Sequence, residues 1–199
     1  MTYPVNLVVD GKPVLVVGGG RVAAGKIRRL VEAGAEVTVV APQISDEIAA
    51  MDVAIERRPY LRGEVAAYRL VVTATRTGAD ADVFADGEAA GVWVNAADDP
   101  AHCSFTLPAV ARRGAIQVAV STDGQSPAMA SWLRARFEAE LGPELETLLQ
   151  ILHEQREALR STGTPTEGLA WREALDSGLL DLVKQGRIAE ARERLQACL

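Results

Sequence analysis

Pro13-Val14-Leu15-Val16-Val17-Gly18-Gly19-Gly20-Arg21-Val22-Ala23 is the stretch that decides the fold. Its apolar opening lacks the alternation of a half-exposed strand, so it describes a strand covered on both faces. Three glycines end the run. Arg21–Ala33 then has a helical pattern, with Val22, Ile27, Leu30 and Val31 near one face and Gly34 placed to end it. Gly18, Gly20 and Ala23 fit the GxGxxA spacing of a dinucleotide-binding turn, in the required context between a buried strand and a helix. Gly18 would allow the tight turn, Gly20 would let the backbone approach a pyrophosphate, and Ala23 would keep the helix close to the sheet. Free amides and the helix dipole would then hold the phosphates. A glycine turn kept only for packing would have the same residues; the strand–turn–helix context favours the dinucleotide.

Further strands are expected at Val37–Val40, Val53–Glu56, Leu70–Ala74 and Val92–Ala96, with a helix at Ala79–Ala90. Strands alternating with helices imply right-handed crossovers and a parallel sheet. Asn6–Val9 is read as an extra strand that turns at Asp10-Gly11. After Asp98-Asp99-Pro100 the pattern changes. Phe105–Val110 and Ile116–Ser121 are two β-like runs around Arg112-Arg113-Gly114, a hairpin outside the main sheet. Ser126-Pro127 supplies an N-cap and a first-position proline for a helix to about Leu141. Helices follow from Pro143, with Leu145, Leu148, Leu149 and Leu152 on a shared face. A loop at Ser161–Pro165 leads to helices at Trp171–Gln185 and Ile188–Ala197, broken at Gly186. The expected class is α/β: a Rossmann-like parallel sheet over 1–113, a β–α segment over 114–142, and a small helical C-terminal domain over 143–199.

The 199 residues are 48% hydrophobic and 24% charged, which excludes general disorder. No apolar run nears the roughly 20 residues of a membrane span, and Met1–Asp10 lacks the features of a secretory leader. A cytoplasmic protein without membrane partners is expected. Cys103 and Cys198 stand far apart, without a disulfide framework or zinc spacing. A net charge of −6 argues against coating nucleic acid. Of the 21 basic residues, 18 are arginine, a good fork for carboxylates, although an arginine-rich genome would give the same count.

The acidic residue that usually follows the second strand and binds ribose hydroxyls is missing, since Val40 runs into Ala41-Pro42-Gln43. Gln43 or backbone groups are left for that role. No arginine stands there for a 2′-phosphate, so NAD is favoured over NADP. Asp98 and Asp99 lie just past the end of the fifth strand, where ligands of open α/β sheets bind. A carboxylate there could accept a proton in a redox step or bind a hard cation; Asp-Asp-Pro is also an ordinary turn. His102 and Cys103 follow, but with His153 the only other histidine, a conventional histidine metal site is not expected. Ser121–Pro127 could bind anions through its hydroxyls and the next helix start, or be a plain loop and cap.

In order along the chain, these segments resemble the precorrin-2 dehydrogenase/sirohydrochlorin ferrochelatase family. Pro13–Ala23 with Lys26 resembles its strand and GGGxVAxxK loop, and Glu32–Val40 its second αβ step. Val71–Thr75 resembles its fourth strand, Val94–Pro108 its VNxxDxPxxxxFxxP stretch, and Val118–Ala130 its VAVSTxGxSPxxA stretch. The resemblance covers about the first 140 residues. It implies NAD-dependent oxidation of precorrin-2 to sirohydrochlorin, with ferrous iron insertion into the product in many members. Asp98 matches the family's key aspartate, as general base and as guide for the metal. Cofactor positions carry over to Gly18, Gly19, Gly20, Arg21, Val22, Pro42 and Gln43, with Thr73, Ala74 and Thr75 on the neighbouring strand end. Asn95, Ser121, Thr122 and Ser126 match substrate-side positions. A homodimer is implied, formed through the helix after Ser126, with its cleft between domains.

Two positions depart from the pattern. Arg76-Thr77 stand where some members carry acidic residues, and Thr122 where some carry serine. No methyltransferase domain of the kind fused in some relatives is expected. A tetrapyrrole rich in carboxylates needs cations near the site of a net-negative protein, and Arg112, Arg113 and Arg134 are candidates, each equally at home as a solvated surface residue. Two other readings stand beside the dehydrogenase. One is a non-enzymatic NAD(H)-sensing module, which would leave Asp98 without a role; the other is a chelatase without redox function, which would leave the glycine loop without one.

Overall fold

The run at Pro13–Val17 becomes β1, the middle strand of a parallel sheet completed by β2 (Glu36–Val40), β3 (Ala54–Glu56), β4 (Leu70–Thr73) and β5 (Trp93–Ala96). Strand order is β3-β2-β1-β4-β5. The structure, a computed structural model, describes residues 2–75 and 78–199. These form two compact units, Thr2–Leu107 and Pro108–Leu199.

In the first unit, alternate residues of each strand supply opposite faces of the sheet. Val16, Val39 and Val72 pack with Ala23, Ala24 and Ile27 of α1 (Arg21–Glu32). Leu15, Val17, Val71 and Val94 pack on the other face, with Val83 of α3 (Ala79–Ala90). The α/β class expected from the alternating pattern is therefore the observed one. A short helix, α2 (Asp46–Ala49), adds Ile48 to the first of these cores.

Several local expectations need correction. Val22 and Val31 are exposed, because the face of α1 that meets the sheet is centred on Ala23 and Ile27. Asn6–Val9 forms no strand, although the turn after it is made, with Lys12 N–H donating to the Val9 carbonyl at 2.9 Å. β1 already pairs with β2 on one side and β4 on the other, so it has no open edge to offer. The hairpin strand begins at Ala109 rather than Phe105, since residues 103–105 turn back along β5. There Ser104 N–H donates to the Val94 carbonyl at 2.8 Å, and Asn95 bridges Cys103.

In the second unit, β6 (Ala109–Arg113) and β7 (Ile116–Val120) pair antiparallel, from Ala109↔Val120 to Arg113↔Ile116. Packed on them is α4 (Pro127–Glu140), capped as expected by the Ser126 hydroxyl, which accepts from Met129 N–H at 3.2 Å. Then come α5 (Pro143–Ser161), α6 (Trp171–Ala174), a π-turn at Leu175–Leu179, α7 (Leu180–Lys184) and α8 (Ile188–Cys198). Leu148, Ile151, Leu179, Leu182, Ala191 and Leu195 form their core. Leu149, expected on the inner face, is exposed, and Ile151 takes that place. Among the described residues no helix is long and apolar enough to cross a membrane.

A polar latch ties the loop before β4 to α3. Asp86 accepts from Arg62 Nε, from the Tyr60 hydroxyl at 2.7 Å and from Gly63 N–H at 2.7 Å. Hydrogen bonding from Arg62, above all, holds the Asp86 carboxyl well below the usual range, with burial opposing and the Gly63 and Tyr60 bonds adding. A carboxyl whose folded-state value is depressed contributes stability above its unfolded value and loses it as pH falls through the folded one. Wild type should therefore lose more thermal stability than Asp86→Asn as pH drops below about 4. Parallel melting curves of both proteins across that range check this; equal losses would contradict it.

Candidate active site

Register places Val40, Val17, Thr73 and Ala96 in one row across the sheet. Pro42-Gln43, Gly18-Gly20, Ala74-Thr75 and Ala97-Asp98 therefore leave the sheet along one edge. The chain runs outward from β1 to β2 and β3, then returns to β4 on the other side of β1. Open α/β sheets bind ligands outside the carboxyl ends at such a switch point. With strands about 4.8 Å apart, the end of β5 lies about 10 Å along this edge from the end of β1.

At the glycine loop, Gly18 N–H donates to the Val40 carbonyl at 3.0 Å and Ser45 N–H donates to the Gly19 carbonyl at 2.9 Å. Gly18 has φ 132°, and a Cβ there would lie 2.5 Å from the Ala74 carbonyl oxygen. A Cβ on Gly19 would lie 1.9 Å from the Gln43 carbonyl oxygen. Gly19 fills a position the fingerprint leaves open, so spacing gave no sign that it is the tightest of the three. Around Gly20, by contrast, a Cβ would meet nothing within 4 Å. The protein's own packing does not need a glycine there, but a pyrophosphate close to the backbone does. No side chain caps α1 and its first turn holds no acidic residue, so its first amides are left for an anion. These residues fit a dinucleotide. Pro42 and Gln43 are exposed beside the loop.

On the β4 side, Thr73 is fully buried and its hydroxyl donates to Asp80 Oδ1. Thr75 gives the same oxygen its hydroxyl at 3.0 Å and its backbone N–H at 3.4 Å. In the sequence, the place of Asp80 near the start of a helix just after a strand end is its only signal of a role. Arg76 and Thr77 lie outside the described residues.

Beyond β5 the structure separates two adjacent carboxylates. Asp99 Oδ2 pairs with His102 Nδ1 at 2.7 Å, and the imidazole stacks edge-on against Phe84. Asp98 is exposed, with a left-handed φ of 63°, and no hydrogen bond or ion pair among the described residues occupies its carboxylate. Asn95 is buried. Its amide donates to the Phe105 carbonyl at 2.9 Å and to Cys103 Sγ at 3.5 Å, fastening the returning segment beside the Asp98 turn. Burial pushes the Cys103 thiol up. Lys26 is half-buried on α1. Burial first, then Arg29, lowers its ammonium pKa, while Asp98 and Cys103 hold it up, which places a cation in the field of the Asp98 carboxylate. Among the described residues, no group of three or more His, Cys, Asp or Glu side chains could hold a metal ion.

Ser121, Thr122 and Ser126 belong to the second unit. Ser121 Oγ accepts from Asp123 N–H at 3.3 Å, and the Thr122 hydroxyl donates to the Ser126 carbonyl at 3.2 Å. Arg113 donates to the Leu141 carbonyl and Arg134 pairs with Glu138, while Arg112 is exposed on β6.

The glycine loop yields a paired prediction. Gly20→Ala should fold as wild type does yet bind NADH at least about tenfold more weakly, a step of about 1.4 kcal/mol. Gly19→Ala should lose about 1–3 kcal/mol of stability through overpacking. Urea unfolding and NADH fluorescence titration of both variants check this, and normal NADH binding by Gly20→Ala would remove the loop from the dinucleotide site.

Comparison with known proteins agrees with this geometry. The family model described as "Putative NAD(P)-binding" matches residues 5–109, and one described as "Sirohaem biosynthesis protein central" matches residues 113–140. A siroheme synthase of Nitrosococcus oceani is 33% identical over 203 residues, covering 98% of this chain and 43% of that protein. One from Neisseria meningitidis serogroup B is 37% identical over 164 residues, covering 79% of this chain and 34% of its own length. The chain thus spans less than half the length of these relatives. The solved structure of SirC, precorrin-2 dehydrogenase, superposes with a TM-score of 0.75 at 26% identity, covering 99% of this chain and 98% of that one. With more than half of its residues matched by the first of these models, the chain belongs to the putative NAD(P)-binding family.

Proposed function

We propose that this chain oxidises precorrin-2 to sirohydrochlorin with NAD. The observation that carries the reading is Asp98, a carboxylate without a hydrogen-bond partner among the described residues, on the sheet edge that also bears the glycine loop. A non-glycine residue in left-handed backbone costs about 1–2 kcal/mol, and such strain concentrates at functional sites. NAD, when bound, supplies the hydride acceptor. Loss of a hydride from precorrin-2 leaves a proton to be removed, and the Asp98 carboxylate takes it. The loop amides and the start of α1 hold the pyrophosphate, Pro42 and Gln43 border the adenosine half, and the end of β4 meets the other half. The family membership and the likeness to a precorrin-2 dehydrogenase along the full chain support the substrate.

Ferrous iron insertion is the second reaction in this reading, with iron as a substrate. Iron(II) displaces two N–H protons of the macrocycle, whose nitrogens become its ligands, and Asp98 is the group on this edge placed to receive protons. A homodimer formed through α4 belongs to the same reading. Met129, Trp132 and Phe137 are exposed on that helix, and Arg136 lies 4.9 Å over the Trp132 ring. Single exposed apolar residues are ordinary, but several on one helix mark an interaction face.

Purified protein mixed anaerobically with precorrin-2 and NAD should form NADH and sirohydrochlorin in equal amounts. Asp98→Asn should keep NADH binding and lose at least about a hundredfold in kcat, the range expected for removing a general base. No turnover by a wild-type protein that binds NADH would sink the dehydrogenase, and full activity of Asp98→Asn would take Asp98 out of the mechanism. Trp132→Asp should shift the protein toward monomer in sedimentation velocity; an unchanged profile would exclude α4 from a dimer interface.

A further inference from the structure

Two sides of the switch-point crevice differ in hydrogen-bond polarity. On the β1 side, the uncapped start of α1 presents N–H donors. On the β4 side, the Thr73 hydroxyl, the Thr75 hydroxyl and the Thr75 backbone N–H all converge on one oxygen of Asp80. Each hydroxyl has one proton, and both protons are directed to that carboxylate. Any further group that meets the Thr75 oxygen must therefore donate to it. Asp80 itself lies in the first turn of α3, where the helix dipole favours a carboxylate.

A dinucleotide laid across such a crevice has its pyrophosphate at the first helix start and its adenosine ribose toward the end of β2. Its second ribose then falls toward β4, and each ribose hydroxyl has a proton to donate. Resting on the NAD-binding reading above, we propose that Asp80 is a positioning residue for the nicotinamide-side ribose. It fixes Thr75 as an acceptor rim and anchors that rim to the buried Thr73. The glycine loop also has backbone bonds of its own. Ala74 N–H donates to the Val17 carbonyl at 2.8 Å and Gly18 N–H to the Val40 carbonyl at 3.0 Å, and neither bond involves Asp80. Loss of Asp80 should therefore weaken one half of the ligand and leave the other.

The test is titration of wild type, Asp80→Ala and Asp80→Asn with NADH and, separately, with ADP, which has the adenosine and pyrophosphate but no second ribose. Asp80→Ala should bind NADH about tenfold more weakly, as expected for a lost set of hydrogen bonds to a charged group, and ADP within about twofold of wild type. Asp80→Asn keeps an accepting oxygen and should recover most of the NADH affinity. Unchanged NADH binding by Asp80→Ala overturns the proposal, and so does an equal loss for ADP and NADH, which would mark a purely structural role. Should Asp80→Ala fail to fold, Thr75→Val serves in its place: weaker NADH binding with ADP unaffected supports the rim, and wild-type NADH binding overturns it. A wild-type protein that binds both ligands but does not oxidise precorrin-2 would end the dehydrogenase reading and leave this one standing. One that binds ADP but not NADH would end this one.

Discussion

Where β1 leaves the sheet, two backbones pass so close that one methyl group on Gly19 would sit 1.9 Å from the Gln43 carbonyl oxygen. That approach joins the turn after β1 to the turn after β2, and the neighbouring contact of Gly18 with Ala74 joins it to the end of β4. Carbonyl and amide groups make these contacts, so their geometry is stiff in a way that side-chain packing is not. The rest of the site follows from it. Once three strand ends are tied at their tips, the parallel register carries Asp98 of the next strand onto the same edge. Gly20, free of such contacts, is left for a ligand.

The edge so formed is chemically uneven along its length. Uncapped helix amides stand at β1, a threonine pair directed onto Asp80 stands at β4, and beyond β5 stands a carboxylate with Lys26 in its field. That succession suits a molecule that is phosphate in the middle and sugar toward one end, with proton transfer taking place past that end. The two aspartates after β5 show how finely the roles divide. Asp99 is engaged with His102, while Asp98, one residue earlier, keeps its carboxylate available on strained backbone.

The second unit has a different physical character. Its helices α5 to α8 close around Leu148, Ile151, Leu179 and Leu195, whereas α4 buries little beyond Ala130 and leaves Met129, Trp132 and Phe137 exposed. A helix of that length with so small a buried face gains little from packing within its own unit, which is the physical ground for placing a partner on it.

The parallel sheet, the glycine turn, the capped start of α4 and the helical tail were legible in the sequence, because strand and helix periodicity, glycine spacing and cap residues are local properties. Asp98 was legible too, as a carboxylate just past a strand end. What was not legible depends on approach through space. Local pattern could not show that β1 has no free edge for Asn6–Val9, since that depends on which distant strands pair with it. Nor could it show that Asp99 is paired with His102, or that Gly19 is more crowded than Gly18 and Gly20. The role of Asp80 was hidden for the same reason. A single aspartate after a loop is ordinary in a sequence, and becomes the organiser of a strand end only when two threonine hydroxyls and an amide converge on one of its oxygens. Periodicity tells each segment what it can become; which atoms then meet is settled by the tertiary fold, because hydrogen bonds and close contacts act over a few ångströms whatever the distance along the chain.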